Sequence, residues 1–176
     1  MKLFLGIDLP EATKKALYEQ LKELRKKHPD YWWIDMNSYH LTLHEFGEVK
    51  NVEEITNRIK DIFYDATKFP LIALKLDTFV KKQILLYVEL RRQKKLEQLV
   101  TTLRTDLGME NIPFMPHIML SKSALSSKQQ YYALTREIDM SVVDFEFQVD
   151  KVHLFENDMA TKHPVYTKIA EFCLID

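Results

Sequence analysis

The sequence predicts an α+β fold, and three observations carry that reading. Segments with period-two alternation interleave with segments of helical period along all 176 residues. Apolar residues make up 46% of the chain, enough for a packed interior at this length. Two distant stretches, HLTLHEFG at 40–47 and HIMLSKS at 117–123, each place a histidine at the head of a short apolar-rich run.

Residues 2–9 alternate, with Leu3, Leu5 and Ile7 on one side and Phe4 and Gly6 on the other, as in a strand buried on both faces. Pro10 opens a helix through about His28, in which Ala12, Leu17, Leu21 and Leu24 recur at helical spacing. Strand character resumes over 40–46. Asn51 is the expected N-cap of a helix over 52–67, with Val52, Ile55, Ile59, Ile62 and Phe63 as its buried stripe. Residues 70–80 and 84–90 read as strands joined by the polar break KKQ, and a helix over 93–107 follows, ended by Gly108. The order then begins again with a strand over 115–121, a helix over 126–139 after a Ser-rich start, and strands over 144–155 and 165–174. No linker separates the halves. A duplicated α+β lobe with a cleft between copies and a single sheet with helices on one side fit this alternation equally well.

Composition removes several classes of function. Twenty-five Lys and Arg against 26 Asp and Glu leave no overall field to recruit nucleic acid or an anionic membrane, so any phosphate site must be local. The single cysteine, Cys173, excludes an internal disulfide framework and suits a reducing compartment. In MKLFLGIDLPE the apolar run is too short for a signal peptide, and Lys75 and Asp77 interrupt the richest apolar stretch well before the ~20 residues a membrane span requires. A cytoplasmic, monomeric protein with no membrane partner is expected. With three glycines and no Gly-rich phosphate loop, a nucleotide would have to be held by side chains and strand ends.

The histidine strands carry the chemistry. Residues i and i+2 of a strand share a face, so His40 and Thr42 point together, and His44 with them, while Leu41 and Leu43 face the core. The same rule groups His117, Met119 and Ser121, and turns Lys122 away from them. Near neutrality one imidazole can act as a base while its partner is an acid, and that combination suits opening a 2′,3′-cyclic phosphate. Thr42 supplies a donor to the nonbridging oxygens, and no metal or cofactor is required. Taken singly, a strand histidine is ordinarily a half-buried structural residue and Met119 simple packing. It is the repetition that points to function. The basic runs KK at 81–82 and RRQKK at 91–95 fit solvated surface better than an RNA contact, WW at 32–33 fits packing, and His153 and His163 show no partner at metal-ligand spacing.

At these motifs the chain resembles the two-histidine (2H) phosphoesterases, specifically the RNA 2′,3′-cyclic phosphodiesterase family also named for 2′-5′ RNA ligase activity. LFLGIDLPEATKKAL is similar to that family's opening strand and helix, YHLTLHEFGEV to its first H-x-T-L signature, and FMPHIMLSKS stands where the second belongs. VHLFENDMATKHPVYTKIAEF is similar to its last hairpin, with Tyr166 as the tyrosine. The resemblance implies one domain over residues 1–176, built of two intertwined lobes related by a pseudo-twofold axis, with antiparallel sheets lining a central cleft. It implies His40 and His117 as the catalytic pair, His40 as general acid and His117 as the base that activates water. Thr42 would bind phosphate, and RNA 2′,3′-cyclic phosphate ends or cyclic nucleotides would be opened to a 2′-phosphate.

The chain departs from the family pattern at Met119, where a Thr or Ser is usual, and at His44 and Lys122, where arginines are common. Lys122 keeps the charge without bidentate geometry. Ser121, by strand parity, is the candidate to replace the missing hydroxyl. Two other functions stay open at this point: a degenerate member that binds RNA termini or nucleotides with little turnover, and an enzyme for another substrate such as 2′-5′ linkages.

Overall fold

The computed structural model describes residues 1–109, 113–124, 127–158 and 165–176. Ser126, within the expected helix start, and His163 lie outside the described residues. Strands β1 (Lys2–Asp8), β2 (Trp32–Trp33), β3 (His40–Glu48), β4 (Phe69–Val80), β5 (Gln83–Leu90), β6 (His117–Ala124), β7 (Glu146–Val149), β8 (Lys151–Asp158) and β9 (Val165–Cys173) form one nine-stranded sheet. Helices α1 (Glu11–Gln20), α2 (Lys22–Lys27), α3 (Val52–Ile62), α4 (Lys94–Asp106) and α5 (Lys128–Met140) surround it, and a 3₁₀ turn spans Met36–Ser38. No helix among the described residues is long and apolar enough to cross a membrane.

The path through the sheet is β7-β4-β5-β6-β3-β1-β8-β9, with β2 joined to β6. Every pairing between these strands is antiparallel. Four strands of this path therefore lie on each side of the β6–β3 junction, but they are not the two halves of the sequence. The β4–β5 hairpin from the first half joins β6 through β5, and the β8–β9 hairpin from the second half joins β1 through β8. The expected restart of the order after Gly108 is thus an exchange of hairpins between lobes.

The same exchange explains why the expected strand over 144–155 is two strands. β7 pairs with β4 while β8 pairs with β1, and only Asp150 separates them, so the two ends of the sheet return toward each other. The helix expected over 52–67 stops at Ile62 for a related reason. Ala66 and Lys68 exchange backbone hydrogen bonds with Ile175 at 2.9 and 2.8 Å, and those groups cannot also serve a helix.

Local signals set the remaining boundaries. The Asn51 side chain accepts from Glu54 N–H at 3.2 Å and starts α3. Ser127 and Gln130 form a reciprocal capping box at α5. Gly108 adopts φ +68 and ends α4, a conformation that costs glycine nothing. The helix expected through His28 breaks at Leu21 into α1 and α2.

β3 and β6 meet through one pair among the described residues, Leu41 with Ile118, both fully buried. Gly6 on β1 allows this junction to close, because a Cβ there would lie 2.9 Å from the Leu41 carbonyl oxygen. Leu41→Ala removes the apolar anchor of the junction and is expected to lower unfolding stability by about 2–5 kcal/mol. Urea denaturation followed by circular dichroism measures this, and an unchanged midpoint would show that the junction is held elsewhere.

Candidate active site

Residues opposite one another in antiparallel strands project from the same face. With Leu41 opposite Ile118, the register sets His40 against Met119 and Thr42 against His117 across the junction. The two histidines are diagonal neighbours, roughly 7–8 Å apart in a regular pair.

Each histidine strand also carries a bulge at the same position. β1 pairs Gly6 with Thr42 and then Leu5 with His44, leaving Leu43 unmatched. β5 pairs Tyr87 with Met119 and then Leu86 with Ser121, leaving Leu120 unmatched. One extra residue reverses the facing of those that follow. Three places past each histidine, the sequence repeat is therefore also a repeat of backbone irregularity.

The bulges correct three expectations drawn from strand parity. Ser121 does not share the His117 face. It turns inward, is 1% exposed, and its hydroxyl has no hydrogen-bond partner among the described residues, so it cannot stand in for the hydroxyl missing at Met119. Lys122 is instead carried into the cleft, where its ammonium lies 5.2 Å from the centre of the Trp32 ring. His44 turns to the face it shares with Leu5, although it still lines the cavity. It is buried, edge-on to Phe46 at 4.7 Å, and burial together with the Arg104 charge holds its pKa below the ordinary histidine value. Glu45 takes the cleft-side place opposite Phe4.

A cavity of about 520 Å³ brings together His40, Thr42, His117, Met119, Lys122 and Tyr166. Both imidazoles are held in the same manner. His40 Nδ1 lies 2.7 Å from the Ser38 carbonyl oxygen, and His117 Nδ1 lies 2.8 Å from that of Met115. A carbonyl only accepts, so each Nδ1 carries the proton and each neutral ring leaves Nε2 as its acceptor. His40 Nε2 stands 3.1 Å from the Thr42 hydroxyl.

The two rings differ in their surroundings. His40 is enclosed by Phe4 at 4.8 Å, Tyr166 at 4.9 Å and Phe155 at 6.0 Å between ring centres. Burial depresses its pKa, against the opposing influence of the Ser38 carbonyl and the Asp8 carboxylate. His117 is edge-on to Tyr87 at 5.3 Å. Outside this cavity, His153 Nε2 stands 3.4 Å from Glu171, and the described residues contain no group of three or more His, Cys, Asp or Glu side chains arranged to hold a metal ion.

Trp32 and Arg104 reach the cleft beyond what sequence reasoning assigns to it, and Phe4 joins them. Phe4 was accessible to that reasoning, since strand parity put Phe4 and Gly6 on the face opposite Leu3 and Leu5. Trp32 pairs with Lys122 across β2 and β6 and lines the cavity instead of only packing beneath it. Arg104 arrives from α4, its guanidinium 5.8 Å from the Phe114 ring, with no local signal that α4 would reach the histidine strands.

The fold has counterparts among known proteins. An RNA 2′,3′-cyclic phosphodiesterase from Thermotoga maritima is 24% identical over 182 residues, covering 97% of this chain and 94% of its own. The crystal structure of TT0787 of Thermus thermophilus superposes with a TM-score of 0.78 at 21% identity, covering 99% of this chain and 98% of that one. That of E. coli LigT complexed with 3′-AMP superposes with a TM-score of 0.75 at 23% identity and the same coverage. The sequence model of the 2′-5′ RNA ligase superfamily matches residues 12–160, and over that span, which includes both histidine strands, the chain belongs to this superfamily of two-histidine phosphoesterases.

Proposed function

We propose that the protein hydrolyses 2′,3′-cyclic phosphates, on RNA termini or cyclic nucleotides, to 2′-phosphates without a metal ion. The observation that carries this reading is the matched pair of imidazoles, each tied through Nδ1 to the carbonyl two residues before it, each lining the same cavity. A phosphate between diagonal rings meets one Nε2 on the side of the entering water and the other on the side of the departing ribose oxygen. With His40 as the acid, protonated on Nε2 as well when the phosphate anion is bound, that Nε2 proton goes to the ribose 3′ oxygen as the P–O bond breaks, while His117 Nε2 takes a proton from the water whose oxygen bonds to phosphorus. Thr42 and Lys122 hold the nonbridging oxygens. The Thermotoga maritima relative's name supports this substrate class.

Met119 favours a second reading, a nucleotide-binding protein with little turnover. It stands opposite His40 where a hydroxyl would complete the symmetric arrangement. One assay separates the readings: hydrolysis of 2′,3′-cyclic AMP in the presence of EDTA. The expected result is turnover insensitive to EDTA, lowered about 10²–10⁴-fold by His40→Ala and by His117→Ala. Binding without turnover would favour the second reading. A product from 2′-5′ linked dinucleotides alone would move the activity to another substrate.

Restoring the donor tests the cost of the substitution. Met119→Thr is expected to raise kcat, by no more than the roughly 10²–10³ that loss of one oxyanion donor costs. An unchanged rate would mean that the phosphate is held without that position.

The electrostatic reading makes a separate prediction. Burial favours the neutral form of His40, so its NMR titration midpoint should lie below the ordinary 6.5. Adding 2′-AMP brings a phosphate anion beside the ring, favours the protonated form and should raise the midpoint. A midpoint that stays still or falls on adding 2′-AMP would place the anion away from His40.

A further inference from the structure

We propose that Lys14 is a positioning residue for His40, fixing the turn whose carbonyl group selects the nitrogen that His40 presents to the cleft. This rests on the catalytic reading of His40, and the test below separates the two.

The lysine is almost wholly enclosed, with a side chain 3% exposed. A buried ammonium is stable only when its donors are met. Lys14 has three, and three oxygens lie around Nζ: Asp8 Oδ1 at 2.8 Å, Glu11 Oε1 at 3.2 Å and the Asn37 carbonyl at 3.1 Å. No donor is left for a substrate, which argues against a binding role.

Two of those oxygens lead to His40. Asp8 is its partner in the β1–β3 register and is also held by Lys168 Nζ at 2.6 Å. Asn37 lies in the 3₁₀ turn, next to Ser38, whose carbonyl accepts from His40 Nδ1. Asp35 closes the same turn by accepting from Asn37 N–H at 2.8 Å. The first turn of α1 thus clamps the end of β1 to the entry of β3. Without the ammonium, the Asn37 carbonyl loses its partner, the turn relaxes, and the Ser38 carbonyl no longer forces the proton onto Nδ1.

The charged and titratable groups around His40 are Asp8 on β1, Lys14 on α1, Tyr166 and Lys168 on β9, and, across the shared cavity, His44 and Glu45 on β3, His117 and Lys122 on β6 and Arg104 on α4, with Asp35 and Arg25 lining the adjoining cavity. Of these, Asp8 favours the imidazolium and Lys14 opposes it. Removing Lys14 should therefore move the His40 titration upward as well as loosen the ring.

The experiment is ¹⁵N NMR of the imidazoles together with steady-state kinetics on 2′,3′-cyclic AMP. In the wild-type protein, neutral His40 should be a single Nδ1–H tautomer. In Lys14→Met, both tautomers should appear, the midpoint should rise, and kcat should fall about 10–100-fold with KM changed less than about threefold, as when other orienting partners are removed. Lys14→Arg should recover most of the rate. A fall in stability with tautomer, midpoint and kcat unchanged would reduce Lys14 to a structural role and overturn the proposal. If Lys14→Met does not fold, the wild-type spectrum still decides, because a mixed tautomer at His40 in the intact protein would overturn it. If the wild type shows no hydrolysis but the tautomer responds to Lys14, the catalytic reading fails and the positioning role stands.

Discussion

The structure depends on one contact between two β-strands. Leu41 and Ile118 are where the two four-strand groups touch, and their register sets which side chains meet across the junction. A one-residue slip would move both imidazoles to the core side and put leucine and isoleucine in the cleft. Full burial of both residues makes that slip expensive, so the hydrophobic core fixes the alignment of the polar site. Gly6 and the paired bulges are the backbone adjustments that let the strands approach and then turn apart.

Strand parity made much of the site legible. His40, Thr42 and His117 could be placed on common faces because each sits before its bulge, where a period of two holds. Ser121, Lys122 and His44 sit after the bulge, and the same one-residue offset misplaces all three. Leu43 and Leu120 look like ordinary core positions, and nothing in their identity distinguishes a matched leucine from an unmatched one. The helix cap at Asn51 and the stop at Gly108 are local chemistry and could be read directly. The exchange of hairpins between lobes could not, because the pairing of β8 with β1 depends on contacts made across nearly the whole chain.

The cleft achieves local chemistry within a protein of almost no net charge. Its cations, Lys122 and Arg104, lie against Trp32 and Phe114, so aromatic faces hold the positive charges at the rim. The interior around His40 is a cage of rings with Asp8 and Lys14 behind it. Such surroundings place a neutral imidazole in a site where an arriving anion changes its protonation more than it would in water. Met119 adds to this apolar character where symmetry would have put a hydroxyl.

The route of the chain also sets when the site can exist during synthesis. A polypeptide emerging from the ribosome carries both imidazoles by the time α5 has appeared, yet Phe155 and Tyr166, which enclose His40, belong to β8 and β9. Until those last strands dock beside β1, one edge of that strand has no neighbour and its backbone groups invite other partners. Maturation of the cleft consequently waits on β8 and β9, which follow α5 and close it by docking beside β1.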